Sequence, residues 1–128
     1  MNAEPDFPAV WVMPVALRQL AECGDSELVE ELFTLFQTDT AERLERLEGA
    51  LAQHDFPGVS TEAHTIKGSA VQVGAIRVAD YCRQIELEVK RPRPVELMRL
   101  MQLLQGSFRE VCAALAIRNG KERTQSPF

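Results

Sequence analysis

The chain has 128 residues, a length that suits one domain built around a single core. Its apolar fraction of 45% and charged fraction of 26% are those of an ordinary globular protein, and a net charge of −5 with no basic stripe argues against nucleic acid as the main partner. No apolar run approaches the ~18 residues that span a bilayer, and the opening MNAEPDFPAV lacks the basic and apolar regions of a secretory signal. Cys23, Cys82 and Cys112 are odd in number and show no CxxC spacing, which fits reduced thiols used for packing in a cytoplasmic protein.

Residues 1–12 carry Pro5 and Pro8 and no sustained period, so they are expected to form an extended arm, with Trp11 and Val12 tucked against the body. Pro14 suits the first turn of a short helix supported by Val15, Leu17 and Leu20, which should stop near Cys23-Gly24. Asp25 or Ser26 is placed to cap a second, long helix, and Glu27, Glu30 and Glu31 favour its positive end. Leu28, Leu32, Leu35/Phe36, Leu44, Leu47 and Leu51 read as its buried stripe. Phe33 and Phe36 belong to the core rather than to a docking surface. The run Thr38-Asp39-Thr40 weakens helical propensity and marks a place for a kink. That helix should end near Gln53, where Asp55 and Pro57 restart the chain as N-cap and early-turn proline.

The third helix is the informative one. At about 100° per residue, Val59, Ala63, Ile66, Ala70 and Val73 fall within an arc of roughly 80° and form its core face. Pro57, Ser60, Thr61, His64, Lys67, Gly68 and Val71 fall on the other side, so His64 points outward. Glycine inside a helix costs roughly 0.5–1 kcal/mol relative to alanine. Gly68 therefore reads as room left for something outside the chain. Gly74 ends this helix, and a fourth follows with Val78/Ala79, Cys82, Ile85 and Val89 inward. Lys90-Arg91-Pro92-Arg93-Pro94 is a basic, proline-punctuated turn. A last helix buries Leu97, Leu100/Met101, Leu104, Phe108, Val111 and Leu115 and should stop near Asn119-Gly120.

No stretch alternates as a strand does. Four long amphipathic helices with short loops predict an all-α, antiparallel up-down-up-down four-helix bundle with a short additional N-terminal helix. The expected organisation is an arm over 1–12, a bundle over 13–119 and a frayed tail over 120–128.

The residues His64-Thr65-Ile66-Lys67-Gly68-Ser69, then Gly74-Ala75 and Ala79-x-x-Cys82-x-x-Ile85-Glu86, resemble the signature of histidine-containing phosphotransfer (HPt) domains. The match is close over the third and fourth helices, and the other helices agree in length and order. The resemblance implies that His64 accepts a phosphoryl group from the aspartyl phosphate of a receiver domain and passes it to the receiver of another response regulator. It implies that Lys67 offsets the charge of the phosphoryl oxygens and opposes protonation of the ring, and that Gly68 gives the partner clearance. It further implies that no cofactor is bound here, Mg²⁺ being supplied by the partner receiver, and that a hybrid sensor histidine kinase stands upstream. The implied protein is a cytoplasmic monomer that contacts neither nucleic acid nor membrane. Where the family has a second serine and then Ala-Asn, this chain has Ala70, Val71 and Gln72; Gln72 keeps a polar, hydrogen-bonding role.

Other assignments stay open at the level of sequence. Val71 is either a hydrophobic contact for the docked receiver or an ordinary exposed valine, and Ser60 and Thr61 are either rim contacts or simply solvated. Lys67 is the only evident charge beside His64. His54, without His, Cys or acidic neighbours at ligand spacing, reads as a solvent-facing loop residue. A di-iron bundle would need Glu-x-x-His pairs, and Thr61 stands three residues before His64. Without an ATP-binding motif the chain should not phosphorylate itself. A helical interaction module that docks receiver or kinase domains without accepting phosphate remains the alternative. The initial Met and the complete bundle favour a free-standing protein over a piece of a hybrid kinase.

Overall fold

The chain signals its helix boundaries in the capping residues, and the computed structural model follows most of them. It describes residues 10–123, with side chains through residue 118. The outer parts of the expected arm (1–9) and tail (124–128) lie outside the described residues. All the regular structure described is helical: α1 (Val15–Leu20), a π-helical turn (Ala21–Asp25), α2 (Ser26–Ala52), α3 (Phe56–Val73), α4 (Ile76–Glu88) and α5 (Pro94–Arg123). Short connections make successive long helices antiparallel neighbours. The seams α2/α3, α3/α4 and α4/α5 are continuous, and α5 closes back on α2. Across that closure the Arg118 guanidinium lies 5.5 Å from the centre of the Phe33 ring and pairs with Glu30. Among the described residues no helix is long and apolar enough to cross a membrane.

Two junctions fix how α3 is held. At its start the Asp55 side chain accepts a hydrogen bond from the Gly58 amide at 3.1 Å, and Pro57 occupies the first turn, as the sequence predicts. At its end Gly74 takes the left-handed conformation (φ 85°). The Ala75 amide there reaches the Ala70 carbonyl at 2.8 Å and the Gly74 amide the Val71 carbonyl at 3.3 Å, the paired closure of a Schellman motif. The arm locks onto this corner. Trp11 Nε1 donates to the Val73 carbonyl (2.8 Å), the Val12 amide donates to the Gly74 carbonyl (2.9 Å), and the Trp11 ring meets Phe33 edge-on at 5.7 Å.

The structure corrects the sequence in several places. The stripe of α2 is Val29, Phe33, Phe36, Thr40, Leu44, Leu47 and Leu51, while Leu28 and Leu35 are exposed. A stripe traced through leucines breaks at position 40. Once Thr40 is admitted to the core, where it is fully buried, the steps of three and four run unbroken and the N-terminal half shifts by one residue. Thr38-Asp39-Thr40 does not interrupt the helix, because packing outweighs propensity differences below about 1 kcal/mol per residue. Asp25 stands at the N-cap of α2 but makes no capping hydrogen bond. The chain enters α2 directly from a π-helical turn. Gly24 absorbs the bend there with φ 103°. At the other end α5 runs past Asn119-Gly120 to Arg123, since a single glycine costs a helix only about 1 kcal/mol.

Candidate functional site

The site begins with the two-faced character of α3. Val59, Ala63, Ile66, Ala70 and Val73 are buried, the face the periodicity predicts. The opposite side carries His64, with 72% of its side chain exposed, followed one turn on by Lys67 and Gly68 and then by Val71. Among the described residues nothing within 4 Å would meet a Cβ added at Gly68, so no contact with them accounts for the glycine. Lys67 is half-buried rather than fully exposed.

Facing this line from α4 is Glu86, which corrects the expectation that Lys67 is the only charge near His64. Val78, Cys82 and Ile85 turn into the core, and Glu86, next to Ile85 and one turn beyond Cys82, is left at the rim of the α3/α4 seam. Its Oε2 lies 2.9 Å from His64 Nδ1 and its Oε1 lies 2.6 Å from Lys67 Nζ. Burial pushes the Glu86 carboxyl up; Lys67 and then His64 outweigh that, and it is held below the usual carboxylate range. The neighbouring Cys82 thiol is pushed up to about 12, by burial and then by the Glu86 charge. It is a packing group at neutral pH.

The remaining candidates divide. Thr61 is exposed, but its hydroxyl donates to the Pro57 carbonyl at 2.9 Å, and Ser60 is half-buried. Val71 is 63% exposed and continues the His64 line. Gln72 does not share that line. With Ser69 it turns toward α2 and lines a groove of ≈ 450 Å³ with Leu32, Leu35 and Asp39. His54 stands apart at the α2–α3 junction, exposed, at φ 57° and stacked on Phe56 at 5.7 Å. Among the described residues no group of three or more His, Cys, Asp or Glu is gathered as a metal site.

Glu86 is the residue that sequence reasoning left without a role. It stands inside the motif, but periodicity assigns residues to faces and does not pair them across helices. The only hint was an acidic residue one turn beyond an inward cysteine.

The arrangement suits chemistry at an exposed imidazole flanked by a cation and approached from outside. Comparison with known proteins points the same way. The family model described as Hpt domain matches residues 31–118. The match begins within α2 and ends within α5. Histidine-containing phosphotransfer protein B from Pseudomonas aeruginosa PAO1 is similar in structure, with a TM-score of 0.69 and 28% identity over 87% of this chain and 92% of that one. The maize histidine-containing phosphotransfer protein ZmHP2 is similar with a TM-score of 0.75 and 23% identity over 84% of this chain and 89% of that one, a likeness of fold. No curated protein matches the sequence.

Proposed function

This chain belongs to the Hpt domain family, and from that premise we propose that His64 is the residue through which it carries phosphate. The chain is a histidine-phosphotransfer intermediate of phosphorelays and works with receiver and kinase components of two-component systems. The observation that carries the assignment to His64 is its exposure on the outward face of α3, beside Lys67 and a glycine that no described residue requires.

The transfer follows from that geometry. An imidazole nitrogen of His64 attacks the phosphorus of a receiver's aspartyl phosphate. The N–P bond forms, the bond from phosphorus to the carboxyl oxygen breaks, and its electron pair leaves with the carboxylate. Passing the group to a second receiver reverses these steps. Lys67 lies one turn from the ring and offsets charge on the phosphoryl oxygens. Gly68 leaves room for the receiver to close over the histidine, and Val71 offers it an apolar contact. Ser60 and Thr61 form the rim on the N-terminal side, while Gln72 meets the partner along the α2 side. Mg²⁺ comes with the receiver: among the described residues, the carboxylate that contacts His64 is Glu86, already engaged by Lys67 and His64. The protein works as a cytoplasmic monomer, downstream of a hybrid sensor histidine kinase.

A chase experiment tests this. A phosphorylated receiver should label the purified chain with acid-labile, alkali-stable phosphate, and a second, unphosphorylated receiver should then remove the label. Tight receiver binding without any label would instead identify an interaction module.

A further inference from the structure

We infer that the cleft between α4 and α5 is a binding site for a small oxyanion, a phosphate or a carboxylate. Its lining comes from those two helices alone. His64 and Lys67 meet α4 across the other seam, with α3, and take no part in it.

The middle of α5 is where the helix departs from good helix formers. Gly106 and Ser107 stand there together, and both residue types favour other conformations. Among the described residues, a Cβ added at Gly106 would meet only the end of the Arg109 side chain, Nη2 at 3.8 Å, which is ordinary contact. Packing among these residues therefore does not call for a glycine. Ser107 is 3% exposed, and its hydroxyl has no hydrogen-bond partner among the described residues. Burying a hydroxyl without a partner is destabilising. Gly106 and Ser107 line a cleft of ≈ 200 Å³ with Arg77 and Tyr81 of α4. Pockets for drug-sized ligands run to about 300–1,000 Å³, so this one suits a smaller molecule.

Charge decides the class of ligand. Ser107, Tyr81 and Gln102 bring to the lining polar groups that donate or accept as required. The ionised groups do not balance. Arg77 Nη1 donates to Glu110 Oε1 at 3.3 Å, which offsets the single carboxylate of the lining. Arg109 reaches back over Gly106 and pairs with no carboxylate among the described residues. A surplus guanidinium thus stands beside the cleft, on a chain whose net charge is −5. Guanidinium donors match the oxygens of carboxylates and phosphates in both charge and geometry. The missing side chain at Gly106 lets such an ion approach α5 closely. Ser107 gains a partner by rotating about χ1, and the rotation breaks no side-chain hydrogen bond.

The test titrates the full chain with sodium phosphate and with sodium acetate, against sodium chloride at matched ionic strength, while backbone ¹H–¹⁵N shifts are followed. Phosphate or acetate should move the amides of Gly106, Ser107 and Tyr81 along a saturating curve, with a dissociation constant of about 1 mM. Chloride should not. Saturation by phosphate alone identifies a tetrahedral ligand and saturation by acetate alone a planar one, and either supports the site. Ser107→Ala and Arg109→Gln should each weaken binding about tenfold, and Gly106→Leu, which fills the cleft, should abolish it. Ser107→Ala and Gly106→Leu should melt at or above the wild-type temperature, since one removes an unpartnered hydroxyl and the other a helical glycine. Shifts confined to the surroundings of Lys67, responses that follow ionic strength without saturating, or unchanged binding in Gly106→Leu would overturn the proposal. If Gly106→Leu does not fold, unchanged affinity in both Ser107→Ala and Arg109→Gln overturns it. A lower melting temperature in Ser107→Ala would count against it as well, by showing that the hydroxyl has a partner within the fold.

Discussion

Two glycines of the motif region, six residues apart, answer to different masters. Gly74 is required by the fold: its φ of 85° disfavours any side chain, and an added Cβ would run into the Val12 carbonyl of the arm. Gly68 is required by nothing among the described residues, since an added Cβ there would meet none of them within 4 Å. Helix propensity alone would replace it with alanine. The contrast separates two kinds of constraint on one helix: the interior demands Gly74, whereas the purpose of Gly68 rests on the proposed approach of a partner.

The largest test of that contrast is Gly74→Ala. Left-handed backbone with a Cβ costs about 1–2 kcal/mol, and the arm must also shift, so a loss of about 2–3 kcal/mol is expected in denaturant unfolding. Trp11→Ala should come next. It removes the indole from Phe33 and its hydrogen bond to the Val73 carbonyl, at about 2 kcal/mol. Because both changes release the same contact, the double variant should lose less than the sum. Full additivity would mean that the arm does not depend on Gly74. Gly68→Ala should go the other way on the two axes, gaining about 0.5–1 kcal/mol in stability while phosphoryl transfer from a receiver slows. A stable variant with unimpaired transfer would remove the reason given for this glycine.

The smallest effect distinguishes the two regions by pH. The Gly74 corner is held by backbone hydrogen bonds and does not titrate, whereas Glu86 near Gly68 does. Its folded value is depressed, so its contribution is fully present above the ordinary glutamate value, about 4.3. That contribution is lost as pH falls from there through the lower folded value. Wild type and Glu86→Gln should therefore differ in stability at pH 7 by less than about 1 kcal/mol and converge in acid. The difference between Gly74→Ala and wild type should persist.

How much of this was legible in the sequence varied along the chain for physical reasons. On α3 every inward residue is apolar, from Val59 to Val73, so periodicity located the core face and left His64 outside. On α2 a buried threonine interrupted the leucine pattern, and the stripe was placed one residue off over its first half. Local signals such as Asp55, Pro57 and Gly74 marked their boundaries, because a cap or a left-handed turn acts within a few residues. The contact of Glu86 with His64 spans 22 positions. It exists only because α3 and α4 pack at one register, which no local pattern encodes.

The central claim is that the phosphoryl group travels on His64, and the chain holds only one other histidine, His54. The most direct measurement compares His64→Gln and His54→Gln, both confirmed as folded, in single-turnover transfer from a phosphorylated receiver. The account predicts complete loss of acid-labile label in His64→Gln and wild-type labelling in His54→Gln. Label retained by His64→Gln would contradict it.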